Sequence, residues 1–181
     1  MNDPILGLKR GEVKLVDHDP RWKDEFGRVK QAIIAAIPQL DARQIEHIGS
    51  TAIIDMQAKP VIDIAFGVHW QPAYPDCYDA PLKSLGFYRL NVQREQEIVF
   101  AKFTDTTYAV KTHFIHMIPF EGEHWQNMLF FRDYLNTHHS VRIEYERLKQ
   151  SFSIEHGDIN DYTAYKQQWI QSIFAKRTEQ D

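Results

Sequence analysis

The segment 60–68 (PVIDIAFGV) constrains the fold more than any other part of this chain of 181 residues. It is apolar and rich in β-branched residues, and Asp63 is its single charge. A continuous apolar run of this length predicts a strand that is covered on both faces and therefore lies centrally in a sheet. The sheet then needs helices to cover it, and a composition with 43% hydrophobic residues is sufficient for such a core.

The first two thirds of the chain alternate between strand and helix patterns. Strands are predicted at residues 12–17, 45–48, 87–91, 97–103 and 108–118, and the turn at 104–107 joins the last two as a hairpin. A first helix is predicted with Asp19 as its N-cap and Pro20 at its first position, and its apolar stripe is Trp22, Phe26, Val29, Ile33 and Ile37. A shorter helix is predicted between Tyr74 and Leu85, with Gly86 at its end.

From Glu123 onward the pattern is helical. One helix is predicted over about Glu123–Thr137, a second from Ser140 and a third after Asp161. We therefore expect an α+β fold in one domain over residues 1–181, since domains usually hold about 100–200 residues. An α/β core would span about 12–120 and a helical section about 121–177, between a loose arm at 1–11 and a polar tail at 178–181.

Charge and cysteine content exclude several classes of protein. The net charge of −4 disfavours nucleic acid as a partner and gives no attraction to an anionic membrane. The single cysteine, Cys77, excludes an internal disulfide framework and a multi-cysteine zinc site. No signal peptide or membrane-length apolar run is visible, so we expect a cytoplasmic protein. The sequence makes no prediction about its oligomeric state.

The turn Gly49-Ser50-Thr51 directly follows the predicted strand Ile45–Ile48. A glycine lets the backbone approach a phosphate closely, and the adjacent hydroxyl and N–H groups can bind its oxygens. Asp63 follows on the apolar strand, where its carboxylate could hold a divalent metal against those phosphates. A Gly-Ser turn followed by such an aspartate indicates a phosphate and metal site.

This arrangement resembles the nucleotidyltransferase fold, and nearly the whole chain resembles the GrpB family (the UPF0157 group). The matching segments are DPRW (19–22) with Phe26, EHIGSTA (46–52), AKPVIDI (58–64), Thr112-His113 with His116, FRDYL (131–135), Tyr145 with Leu148-Lys149, and Tyr165-Lys166. The resemblance implies a nucleotidyltransferase-like mixed sheet with packed helices and a helical C-terminal section. It implies little about the reaction.

The chain departs from the active polymerase-type pattern at one position. Residues i and i+2 of a strand share a face, so the second metal-binding carboxylate should stand at position 65, which is Ala65. A two-metal phosphoryl transfer then lacks a ligand that bridges the two ions. Either another residue completes the metal site, or the protein binds a nucleotide without that chemistry.

Several residues are candidates for completing the site. His116, His113 and Glu46 could hold metal or move a proton, although histidines three apart on a regular strand face opposite ways. The alternative for each is a structural hydrogen bond. Cations that could bind phosphate are Lys59, Arg132, Lys149 and Lys166, and the alternative for these is an exposed charge or a local pair.

Two hypotheses follow from these residues. The first is an enzyme that binds a nucleoside triphosphate or a related phosphorylated ligand through Gly49, Ser50 and Thr51, with Mg²⁺ on Asp63. It would transfer a nucleotidyl group to an acceptor, by analogy of fold. The second, favoured by Ala65, is a non-catalytic nucleotide-binding or regulatory module.

Overall fold

A computed structural model describes residues 5–9, 11–12, 14–70, 76–92, 94–154 and 159–178. The strands are β1 (Leu8–Lys9), β2 (Ile45–Ile48), β3 (Ile62–Val68), β4 (Phe87–Arg89), β5 (Ile98–Phe103) and β6 (Val110–Pro119). The α-helices are α1 (Arg21–Ala36), α2 (Asp79–Ser84), α3 (Glu123–Thr137), α4 (His139–Ile154) and α5 (Ile159–Thr178). The predicted α+β class is confirmed.

All six strands belong to one mixed sheet with the order β2-β3-β6-β5-β4, and β1 pairs with the outer end of β6. The pair β3–β6 is parallel, and the other pairs are antiparallel. Strand β3 therefore has a neighbour on each side, as its continuous apolar sequence predicts.

The two faces of β3 pack against different helices. Ile62, Ile64 and Phe66 are fully buried in the main core with Trp22 and Ile33 of α1. The alternate residue, Ala65, is buried on the other face against Trp125 of α3. Helices thus cover both sides of the sheet, and Asp63 shares the α3 face because it lies two residues before Ala65.

Helix α1 presents the predicted apolar stripe to the core. Trp22, Val29, Ile33 and Ile37 are buried, and Phe26 is partly buried against the same cluster. The helix begins at Arg21, one residue later than predicted, after a turn in which Asp19 accepts a hydrogen bond from the Arg21 N–H at 2.9 Å.

The predicted strand at 12–17 is wrong. In the described part of this segment, only Val16 pairs with another strand-like residue, in an isolated antiparallel bridge to Ala58. The Val16 N–H donates to the Ala58 carbonyl at 2.9 Å, and the Ala58 N–H donates to the Val16 carbonyl at 3.0 Å. The physical reason is that β1, which begins at Leu8, four residues before the predicted start, takes the pairing positions at the outer end of β6. The segment instead borders a cleft.

The remaining predicted elements lie within a few residues of their observed bounds. The hairpin β5–β6 is present, with an irregularity between Lys102 and Phe103. Helix α3 matches its predicted range, and α4 and α5 begin at His139 and Ile159. Helix α2 is followed by Gly86 at a φ of +84°, whereas Tyr74, the predicted start of this helix, lies outside the described residues. So do residues 1–4 of the arm and 179–181 of the tail.

Within the described ranges, no helix combines the length and apolar character that crossing a lipid bilayer requires.

The turn after β2 can hold only a glycine at position 49. Gly49 has φ +72° and ψ −174°, a backbone region that side chains strongly disfavour. A Cβ at this position would also stand 3.0 Å from the Cβ of Asp63 and closer still to its carboxylate. The close approach of the two strands at this point therefore excludes any side chain.

We expect Gly49→Ala to lower the free energy of unfolding by about 3 kcal/mol, from backbone strain and the contact with Asp63. Gly27→Ala is the matched control, because Gly27 lies within α1 with open space around its Cα and alanine favours helix there by up to about 1 kcal/mol. Urea unfolding of both variants measures the difference. A Gly49→Ala protein as stable as the wild type would contradict this account of the turn.

His47 of β2 is a core residue. It is 8% exposed, its ring stacks on Phe26 with centroids 4.8 Å apart, and its Nε2 shares a hydrogen bond of 3.0 Å with the Thr51 hydroxyl. Burial lowers the pKa of His47 to about 4, and the neighbouring Asp63 charge offsets this only in part. His47 is therefore neutral in the folded protein near pH 7.

A histidine whose pKa is lower in the folded than in the unfolded state contributes stability that is present above the unfolded pKa and is lost as the pH falls. Between pH 6.5 and about 4, His47 should therefore cost up to about 3 kcal/mol of unfolding free energy. We expect His47→Gln to reduce the loss of unfolding free energy between pH 7 and pH 4, measured by urea unfolding. His138→Gln, at an exposed position, should leave this loss unchanged. If the unfolding free energy of wild type and of His47→Gln fell equally between pH 7 and pH 4, the conclusion that His47 is buried in its neutral form would be wrong.

Candidate functional site

The Gly-Ser elbow (Gly49, Ser50 and Thr51) and Asp63 meet because β2 and β3 are antiparallel. The register pairs Ile48, the last residue of β2, with Asp63 near the start of β3. The chain then turns at Gly49 into a short 3₁₀ helix, Ser50–Ala52. The Asp63 side chain is 31% exposed, so its carboxylate reaches solvent beside the elbow.

Tyr145 of α4 hydrogen-bonds the elbow at Ser50. The Tyr145 phenol is buried and hydrogen-bonds the Ser50 side chain. Burial raises the pKa of Tyr145 well above its usual range, and the Ser50 hydrogen bond opposes this only weakly. The phenol therefore stays neutral, and its hydrogen bond with the Ser50 hydroxyl fixes that side chain.

A cavity of about 430 Å³, which we call the lysine cleft, opens in front of the elbow. Its walls come from the N-terminal segment, the elbow, β3, β6 and the C-terminal helices. Its lining residues are Leu8, Lys9, Gly11, Glu12, Leu15, Ser50, Thr51, Lys59, Val61, Asp63, Lys111, Phe114, Lys149 and Lys166. Five of these are lysines and two are acids, so this cleft carries positive charge although the chain has a net charge of −4.

Lys166 repels two other lysines of the cleft, Lys59 and Lys149. Burial lowers the pKa of Lys59, and the nearby Lys166 lowers it further, while Asp63 opposes the shift. Burial and Lys166 likewise lower the pKa of Lys149 to about 7. Lys166, on α5, therefore stands close to both of the other amines, and Asp63 and Glu146 offset its effect only in part.

His116 of β6 lies between two carboxylates. Its Nδ1 is 2.7 Å from Glu97 Oε1, and its Nε2 is 3.5 Å from Asp63 Oδ1. Burial alone would lower the pKa of His116, but the two carboxylates outweigh it and raise the pKa to about 9. His116 is therefore an imidazolium at neutral pH and neutralises part of the charge on Asp63.

Sequence reasoning missed Glu97. This residue is 6% exposed, and its other partner is Arg94, whose Nη1 lies 2.9 Å from Glu97 Oε2. Its pKa falls to about 2, because His116 and Arg94 outweigh the effect of burial. The predicted hairpin places Glu97 in the right strand, but the irregularity beside Phe103 shifts the register so that Val99 pairs with His116. No sequence signal gives that shift.

His113 does not lie at the site, and the expectation that it shares a metal with Asp63 is wrong. Three residues from His116 on a regular strand, it faces α1, where its Nε2 is 3.1 Å from Glu25 Oε1 without hydrogen-bond geometry. Burial lowers the pKa of His113 to about 4.

Glu46 and Arg132 meet each other but not the lysine cleft. Arg132 of α3 donates to Glu46 Oε2 at 2.7 Å and to the His47 carbonyl at 3.0 Å, which ties α3 to β2. Both residues line a separate cavity of about 430 Å³ on the other side of the elbow. Of the expected site residues, the structure thus brings together Gly49, Ser50, Thr51, Lys59, Asp63, His116, Lys149 and Lys166.

The expected metal site can be tested against its ligands. Among the described residues, no group of three His, Cys, Asp or Glu side chains could hold a metal ion. Position 65, where a second carboxylate should stand, is a fully buried alanine packed with Ile48 and Trp125. Two carboxylates, Asp63 and Glu12, among five lysines do not fit a metal held by the protein alone.

Known structures are similar to this fold. The crystal structure of the conserved protein GrpB from Enterococcus faecalis has a TM-score of 0.73 and 22% identity, with 91% of this chain and 99% of that chain covered. The Cid1 poly(U) polymerase with bound MgGTP has a TM-score of 0.53 and 11% identity, over 76% of this chain and 44% of that chain. The latter likeness shows a nucleotidyltransferase-like fold and nothing beyond it.

Sequence relatives give the family. The glutamate-rich protein GrpB of Alkalihalophilus pseudofirmus is 38% identical over 171 residues, which are 93% of this chain and 98% of that protein. The UPF0157 protein YqkA of Bacillus subtilis is 30% identical, over 89% of this chain and 46% of its own length. The model of the family described as GrpB protein matches residues 12–176. The chain therefore belongs to the GrpB family.

Proposed function

We propose that this protein binds a multiply charged phosphorylated ligand, a nucleotide in the first instance, in the lysine cleft. The observation that carries the proposal is the cluster of Lys59, Lys149 and Lys166 around the Gly-Ser elbow. Like charges at close range raise the free energy of the unliganded protein, and a phosphate among them would remove that penalty.

The geometry of the cleft supports a small molecule as the ligand. Its volume of about 430 Å³ lies in the range of small-molecule sites. The Ser50 hydroxyl, fixed by Tyr145, and the elbow N–H groups are hydrogen-bonding groups for phosphate oxygens. Leu15, Val61 and Phe114 give the same cleft an apolar wall on which the rest of the ligand would pack.

The second candidate is nucleotidyl transfer, and the position of Asp63 beside the elbow favours it. In that case Mg²⁺ would arrive as the counter-ion of a nucleotide substrate, since one carboxylate and the phosphates together suit this ion. Ala65 weighs against a two-metal reaction, so binding without transfer is the function that the residues support best.

Calorimetry with ATP, GTP, CTP and pyrophosphate, each with and without Mg²⁺, tests the binding proposal. We expect micromolar binding that weakens with salt, and a loss of affinity of at least tenfold in Lys166→Met. Lys176→Met is the matched control, because this exposed lysine lies on the same helix, outside the cleft. Equal affinities in the two variants, or no binding of any of these phosphates, would refute the proposal.

Asp63→Asn separates the two candidates. If the protein binds the phosphates alone, removal of this negative charge should leave the affinity unchanged or raise it, with or without Mg²⁺. If the protein binds a magnesium nucleotide for transfer, the variant should lose Mg²⁺-dependent binding while its melting temperature changes little. Release of pyrophosphate from a nucleoside triphosphate by the wild type, and not by Asp63→Asn, would establish transfer over simple binding.

A further inference from the structure

Lys149 differs from the other lysines of the cleft in its surroundings. It is 6% exposed, and its Nζ donates a hydrogen bond to the Gln57 carbonyl. Among the side chains that the structure describes, no carboxylate forms a salt bridge with this nitrogen. A buried amine that contacts a neutral carbonyl, without an anion beside it, gains little from being charged.

The charged and titratable groups around Lys149 act in both directions. Lys166 from α5 repels an ammonium there, and burial acts in the same direction. Glu146, one turn earlier on α4, opposes them, but its carboxylate accepts a hydrogen bond from the Gln57 N–H at 2.8 Å. The Tyr145 ring, 5.1 Å from Nζ, also favours the charged form.

The sum of these effects favours the neutral amine. The pKa of Lys149 is lowered to about 7, so the uncharged amine is populated near neutral pH, unlike that of an ordinary lysine. In the neutral form, one N–H still donates to the Gln57 carbonyl, the nitrogen has a free lone pair, and Lys149 lines the lysine cleft. Lysines with these properties are typical nucleophiles toward carbonyl compounds.

We infer that Lys149 is a nucleophilic amine and that the cleft takes a phosphorylated aldehyde or ketone, which Lys149 holds as a reversible imine. This inference rests on the proposed function, because Lys59, Lys166 and the elbow would bind the phosphate of the same molecule. The ligand class is thereby narrowed to compounds that carry both a phosphate and a carbonyl group.

The step balances without a further reactant. The Lys149 Nζ lone pair forms a bond to the carbonyl carbon while the C=O π pair moves to oxygen, which takes up a proton and gives a carbinolamine. Loss of that hydroxyl as water, with the remaining amine proton, leaves the C=N bond of the imine. The net change is amine plus carbonyl to imine plus water, and hydrolysis reverses it.

Pyridoxal 5′-phosphate followed by borohydride is the probe, since reduction makes the imine permanent and peptide mass spectrometry locates it. We expect Lys149 to be labelled at least tenfold faster than Lys176, with a half-maximal rate near pH 7. Lys149→Arg keeps the charge and should lose this label, whereas Lys176→Met should retain it. Labelling spread evenly over the lysines, or absent from Lys149, would overturn the inference.

Labelling with pyridoxal, which lacks the phosphate, and calorimetric binding of pyrophosphate together distinguish the covalent inference on Lys149 from the proposed binding of phosphate. If pyrophosphate binds and Lys149 is not labelled, the covalent inference fails and the proposed function stands. If pyridoxal and its phosphate label Lys149 equally fast and pyrophosphate does not bind, Lys149 is a nucleophile but the phosphate site fails. We expect the phosphate ester to react faster and pyrophosphate to slow it.

Discussion

The contact between the Gly49 backbone and the Asp63 side chain determines the geometry of the whole site. It exists because Ile48 pairs with Asp63 across two antiparallel strands, and because position 49 has no side chain to keep them apart. The contact places a carboxylate beside a hydroxyl that α4 fixes through Tyr145. Helices α4 and α5 then bring Lys149 and Lys166 to the same opening.

Around this contact, other protein groups compensate the negative charges of the acids more fully than the positive charges of the lysines. Asp63 and Glu97 share His116 as a cation, so much of their negative charge is compensated inside the protein. The Lys166 amine, in contrast, lowers the pKa values of Lys59 and Lys149, and the nearby Asp63 and Glu146 offset this only in part. The cleft is consequently an attractive place for an anion, in a chain whose overall charge would repel one.

Ala65 explains why a nucleotidyltransferase-like fold does not by itself imply two-metal chemistry here. A carboxylate at this position would be buried against Trp125 and Ile118, without water or a cation supplied by the cluster. On the neighbouring strand, the residue in register with Ala65 is His116, a cation where a metal site needs an anion. Ala65 and His116 therefore leave Asp63 without a second carboxylate for a metal ion at these two positions.

Apart from the strand predicted at 12–17, the sequence alone determined the main elements of the fold and the elbow with Asp63, because apolar periodicity and a glycine before a serine are local signals. It also gave the opposite orientations of His113 and His116, since strands alternate with a period of two. Only the tertiary structure decided which polar groups meet: Glu97 reaches His116 through an irregular register, Arg132 binds Glu46 away from the cleft, and Lys149 is buried beside Lys166. Pairing register and helix packing join residues far apart in the chain, and no local pattern encodes either.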